Sequence, residues 1–257
     1  MIRRATVLLT LVLIASSTFA QTTTKTTRRP NIPGSILFDF GFNGVQGQPN
    51  LWKQRFIATR SINIYYQYPI RFGRSRFSFN PGLGFSLERF AWKTNIILEN
   101  PREGTSTQVE KYEFGLARLA YPNPRKPTLV TNYFDIPLEL RFDTKPEDIS
   151  RSFNVAIGAR GGWMFDSFMK VKYKEDGQTK KVKDKQDFGL TQLRYGVYTR
   201  IGVGAFNLFC FYNLTPLFKK DMGPSNDGSV NENGLISANS HGTTMNTLTI
   251  GVSLNGF

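Results

Sequence analysis

Apolar and polar residues alternate along most of this chain. Ile36, Phe38, Phe40 and Phe42 share one face of an extended segment, with Asp39, Gly41 and Asn43 on the other. Ile62, Ile64, Tyr66, Tyr68 and Ile70 alternate with Asn63, Tyr65 and Gln67; Phe77, Phe79, Leu83, Phe85 and Leu87 alternate with Ser78, Asn80, Gly82, Gly84, Ser86 and Glu88. In "YFDIPLELRF" (133–142), Phe134, Ile136, Leu138, Leu140 and Phe142 oppose Asp135, Pro137, Glu139 and Arg141. The pattern returns from Phe153 to Trp163, from Leu193 to Val203, from Leu208 to Leu214 and from Leu248 to Leu254, although Phe209 and Phe211 blur the face of the seventh segment. A period of two belongs to a β-strand with one apolar and one polar face. Eight strands are predicted, hence an all-β fold. Pro137 lacks a ladder donor, which predicts a bulge or a missing bond beside it.

The links between these strands alternate in length. Long ones fall at about 44–58, 99–128, 174–187 and 219–243, and short ones at about 71–76, 143–151 and 205–207. In an up-and-down meander alternate links lie at the same end, so one end carries every long loop. That asymmetry, with an even strand count, is typical of transmembrane barrels with long extracellular loops and short periplasmic turns. The predicted architecture is an eight-stranded antiparallel up-and-down transmembrane β-barrel.

The polar face decides what lies inside. It is rich in glycine, with Ser, Asn and sparse charges of both signs. A water-facing strand surface favours Lys, Glu and Thr, because glycine weakens strands. A narrow eight-stranded interior has room for little else. Asp39, Glu88, Asp135 and Glu139 are therefore expected to meet Arg141, Arg160, Arg194 and Arg200 in the lumen, since an unpaired buried charge is costly. A filled lumen implies no open pore. Aromatic girdles are expected at both membrane interfaces: Phe72, Phe77, Phe142, Phe153, Phe206 and Phe257 at the short-turn end, Trp92 and Trp163 toward the long loops. The alternative with the opposite polarity is a soluble periplasmic lipocalin-like binding barrel.

Composition narrows the chemistry. There is one cysteine, Cys210, and one histidine, His241, too few for a disulfide framework, most zinc sites or most His-dependent dyads. No cofactor and no metal site is expected. Arg3 and Arg4, the apolar run Val7–Ala15 and the small-x-small sequence Thr18-Phe19-Ala20 predict a signal peptide over 1–20, cleaved after Ala20. Residues 21–34 read as a polar lead-in, and 35–257 as the barrel domain. The formal charge is +14. A basic exported chain has anionic lipid or polysaccharide as partners rather than nucleic acid, and no nucleic-acid module is present.

The stretches "RSINIYYQYPIRFGRSRFSFNPGLGFSLE", "YFDIPLELRF" and "LRYGVYTRIGVGAFNLFCFYNLTPLFKK" resemble the PorT-like outer-membrane β-barrel family of Bacteroidetes-type bacteria, over roughly residues 35–257. The resemblance implies a cell outer membrane location and assembly by the barrel-insertion machinery. It also implies a non-enzymatic envelope component, with some relatives linked to secretion or gliding machinery. One departure is the end, "LTIGVSLNGF": its apolar residues are out of phase with Phe257, so a bulge at Asn255-Gly256 is expected, or a weaker insertion signal.

Two candidate sites lie in the long links. His241, with Ser237 and Ser240 nearby, is the residue on which an outer-membrane lipid A-modifying acyl hydrolase or acyltransferase would depend. The hairpin after Trp163, turning at "EDGQ", carries Lys172, Lys174, Lys180, Lys181 and Lys183. Clustered ammonium groups attract anions, so this hairpin is expected to contact lipopolysaccharide phosphates.

Overall fold

The computed structural model describes residues 34–48, 54–93, 114–115, 125–175, 177–185, 188–220, 235–236 and 244–256, with 114–115, 125–126, 174–175 and 235–236 described in backbone only. Twelve strands occur among them: β1 (Ser35–Gln46), β2 (Arg60–Gln67), β3 (Ile70–Arg71), β4 (Phe77–Ala91), β5 (Phe114–Gly115), β6 (Arg125–Asp143), β7 (Phe153–Glu175), β8 (Gln178–Asp184), β9 (Leu193–Val203), β10 (Phe206–Asn213), β11 (Leu235–Ile236) and β12 (Asn246–Gly256). Eight form a closed antiparallel ring in the order β1-β2-β4-β6-β7-β9-β10-β12 and back to β1. They coincide with the eight alternating segments. β3 extends the β2 edge against β4, β8 forms a hairpin with β7, and β5 pairs with β11.

Burial follows the alternation. Phe85 is 50% exposed while its neighbour Ser86 is fully buried, and β9 reads exposed-buried from Leu193 to Ile201 without a break. Apolar side chains thus form the outer wall and polar ones the inside. Closure gives each of the eight ring strands a partner on both sides, and a continuous apolar wall requires lipid around it. The soluble lipocalin-like alternative needs the reverse polarity and is excluded.

Two local features depart from a plain meander. Between Pro81↔Leu138 and Gly84↔Asp135 the β4–β6 ladder skips two pairs without changing register. This is the interruption expected at Pro137. On β7, Asn132 faces Asp166 but Tyr133 faces Met164, so Phe165 is an extra residue and a β-bulge. At the carboxyl end β1 and β12 pair without interruption from Gln46↔Asn246 to Ile36↔Gly256. The bulge considered at Asn255-Gly256 is therefore not there, and Phe257 lies outside the described residues. The shortest turn, Gly204-Ala205, joins Val203 to Phe206 with Gly204 at φ +59, a left-handed conformation that glycine adopts at no steric cost.

Of the expected girdle, Phe72, Phe77, Phe153, Phe206 and Trp163 are exposed on the outer wall, and Phe142 is half-buried with its ring 5.2 Å from that of Phe77. Trp92 is a correction. It is 2% exposed and packs inside, because it shares the parity of Ser86 and Glu88 rather than that of Phe85 and Leu87. It joins Phe90, Leu129, Met169, Leu190, Leu217, Phe218 and others in an apolar cluster that fills the interior toward the long-loop end.

Candidate functional site

The inward positions bring together five carboxylates and four guanidiniums, all buried: Asp39, Glu88, Asp135, Glu139 and Asp143 with Arg141, Arg160, Arg194 and Arg200. Each side chain points in because of its strand parity. Arg200 on β9 spans the lumen. Its Nη2 donates to Asp39 Oδ2 on β1 at 2.9 Å, and its Nη1 donates to Glu139 Oε2 on β6. Arg194, six residues earlier on the same strand, donates to Glu88 Oε1 on β4 at 2.6 Å and to Asp135 Oδ2 on β6 at 2.9 Å. Arg160 Nε on β7 lies 3.6 Å from Asp135 Oδ2. None of the bonds that Arg194 and Arg200 make runs to a neighbouring strand, so each bond is a strut across the barrel.

Arginine suits this role better than lysine, because a planar fork can hold two carboxylates and stack on rings at once. Arg160 lies 3.5 Å from the Phe211 ring centroid, Arg194 3.6 Å from that of Tyr133, and Arg200 4.7 Å from that of Tyr198. The Tyr65 hydroxyl donates to Asp135 Oδ2 at 3.0 Å and accepts from Arg160 Nη1, and Ser86 Oγ donates to Asp135 as well. Asn80 Nδ2 donates to Glu139 Oε1 at 3.3 Å.

Glycine makes the room. A Cβ on Gly196 would sit 2.7 Å from Phe211, one on Gly158 would overlap Tyr198, and one on Gly162 would strike Asp135 and lie 3.1 Å from Arg194 Nε.

The eight charged residues expected in the lumen all face inward, but the pairing differs for one. Arg141 meets none of the four expected acids. It pairs with Asp143, two residues on along the same face of β6, at 3.0 Å. Sequence reading passed over Asp143, Tyr133 and Tyr198, which strand parity alone assigns to the inside, and left the face of Phe211 open; the structure buries it. Each of the five buried carboxylates has a guanidinium within 4 Å, and among the described residues no group of three or more His, Cys, Asp or Glu side chains could hold a metal. His241, Ser237 and Ser240 lie outside the described residues.

The hairpin lysines divide. The β7 bulge reverses parity, so beyond Phe165 the odd residues Met169 and Val171 turn inward and are buried. Lys170 and Lys172 then face out, directly opposite Lys183 and Lys181 on β8. Lys180 opposes Tyr173 and so lies on the other face; the side chain of Lys174 lies outside the described residues. Two arginines that sequence reading did not connect with this hairpin, Arg60 and Arg89, face out on β2 and β4, opposite one another.

An apolar-walled, closed barrel braced by charge inside is a transmembrane β-barrel. The chain belongs to the outer membrane protein beta-barrel domain family, whose model matches residues 19–223. Its place is the outer membrane. Among solved structures it is similar to Neisserial surface protein A (NspA), at 11% identity over 86% of this chain and 96% of that one, TM-score 0.30. It is also similar to Ail, the attachment invasion locus protein of Yersinia pestis, at 14% identity over 86% and 97%, TM-score 0.29. At these scores the family assignment rests on the sequence match. Among curated proteins none matches the chain.

Proposed function

We propose that this barrel is a non-enzymatic, non-conducting mount in the outer membrane, of the PorT-like kind, that serves a protein secretion or transport apparatus through its long loops. The observation that carries the reading is the cross-lumen bracing. Arg194 and Arg200 tie β9 to β1, β4 and β6, and the apolar cluster around Trp92 fills the interior above them. Such an interior holds shape and leaves ions no wet path. Catalysis by acid–base or nucleophilic routes needs a group free to take a proton, whereas these carboxylates are each held by arginine. The exposed ring of Phe72, Phe77, Phe153 and Phe206 suits the periplasmic interface and Trp163 the outer one.

Two measurements test the parts separately. The purified chain in a planar lipid bilayer is expected to show no discrete conductance steps; regular steps would refute the plugged lumen. A strain lacking the protein is expected to lose exported proteins from its medium. An unchanged set of exported proteins would end the secretion reading while leaving the plugged barrel intact.

A further inference from the structure

The outer wall changes chemistry abruptly at one height. On β4 the outward side chains are Leu83, Phe85 and Leu87, and the next is Arg89; on β2, read upward, they are Tyr66, Ile64 and Ile62, and the next is Arg60. The register sets these two arginines side by side. From Arg89 the same row runs through Val130 to Phe168, and one step higher it runs from Ala91 through Thr128 to Lys170 and Lys183. An open cleft of about 820 Å³ lies over this patch, lined also by Arg55, Phe56 and Ile57. Among the described residues no Asp or Glu lines it. Phe56 and Ile57 are 65% and 79% exposed.

This arrangement works against folding. Like charges directly opposite in a sheet repel, and the patch holds three such pairs: Arg60 with Arg89, Lys170 with Lys183, and Lys172 with Lys181. Among the described residues none of these six forms an ion pair with a carboxylate. Lys183 instead lies 5.1 Å from the Phe168 ring centroid. Lys170 stands above the lipid-facing wall. Burial first, then the nearby Lys172, Lys181, Arg89 and Lys183, hold its ammonium below the usual lysine range. Unneutralised cations on an apolar shelf match a ligand with several anionic groups over acyl chains.

We propose that this cleft is a binding site for the phosphorylated glycolipid of the outer leaflet, lipopolysaccharide, engaged through its lipid A. The height of the patch, where the apolar wall ends, is that of a headgroup. Its width also fits. The cations span β2, β4, β6, β7 and β8, roughly 19 Å at about 4.8 Å per strand. One phosphate would meet a fraction of them, whereas a disaccharide phosphorylated at both ends reaches across. Charge-assisted bonds from arginine and lysine hold the phosphates, and Phe56, Ile57 and Phe168 pack the upper acyl carbons. The inference rests on the outer-membrane location and is independent of any role in secretion.

The test is native mass spectrometry of the full chain in detergent with bisphosphoryl lipid A as probe. Arg60→Gln/Arg89→Gln and Lys170→Gln/Lys183→Gln are each expected to weaken retention about tenfold or more, since each removes two charge-assisted contacts. Arg74→Gln/Arg76→Gln, an equal charge loss in the turn at the opposite end, is expected to leave it unchanged. Heat-modifiable gel mobility checks that every variant is folded. Equal weakening by all three pairs would reduce the effect to net charge and overturn the site. Phosphatidylglycerol retained as well as lipid A would overturn the glycolipid assignment. Displacement by inorganic phosphate at matched concentration would overturn recognition of the whole lipid.

Discussion

Asp135 accepts from Arg194, Tyr65 and Ser86 and lies 3.6 Å from Arg160. Removing it leaves two buried guanidiniums short of a counter-charge. Asp135→Ala is expected to cost about 3–5 kcal/mol of stability, read by urea titration of the barrel in lipid vesicles. Asp148→Ala, which breaks an exposed pair at 4.0 Å, is expected to cost under about 1 kcal/mol; equal losses would contradict the bracing role. The glycines give a sharper comparison at neighbouring positions. Gly162 has no room for a Cβ beside Asp135, and Gly161 has nothing within 4 Å. Gly162→Ala is expected to lose about 1–3 kcal/mol through overpacking, and Gly161→Ala to be near neutral, in the same titration.

Among the elements, β7 does the most to set the character of the long-loop end. A one-residue slip in pairing moves every later side chain to the opposite face. Phe165 produces that slip on β7. Without it Lys170 and Lys172 would point into the interior that Met169 and Val171 now fill. The consequence is measurable on intact cells. In a Cys210→Ser background, Lys172→Cys is expected to react with a membrane-impermeant maleimide and Val171→Cys is not. Labelling of both, or of Val171→Cys alone, would mean that the bulge or the orientation of the barrel is wrong.

At the scale of the whole molecule the barrel divides by height. The lower interior is charged and braced, the upper interior is apolar around Trp92, and the outer wall passes from apolar to cationic where β2 and β4 reach Arg60 and Arg89. The struts hold the cross-section and, together with the apolar cluster above them, close it; the cationic rim is the surface we propose for the headgroups. Arg160→Ser/Arg194→Ser, which deletes two of the larger side chains in the lumen, is the variant in which conductance steps are expected if it remains folded, as checked by heat-modifiable mobility. Silent bilayers with a folded variant would show that the apolar cluster alone seals the barrel.

The sequence by itself determined the strand count, the closed antiparallel meander and the inside–outside polarity. Those follow from a period of two, which is a local property of the chain. Parity even held the answer for Trp92, whose neighbours Ser86 and Glu88 mark it as inward. Only the tertiary structure decided which charges meet. Arg194 and Glu88 lie far apart in the chain and on strands that are not neighbours, so their contact depends on registers accumulated around the ring. Register also set Arg60 beside Arg89, whereas Arg141 takes its partner, Asp143, from two residues on along its own strand. The bulge at Phe165 was hidden for the same reason: an extra residue in one strand is defined only by the partner strand that lacks it.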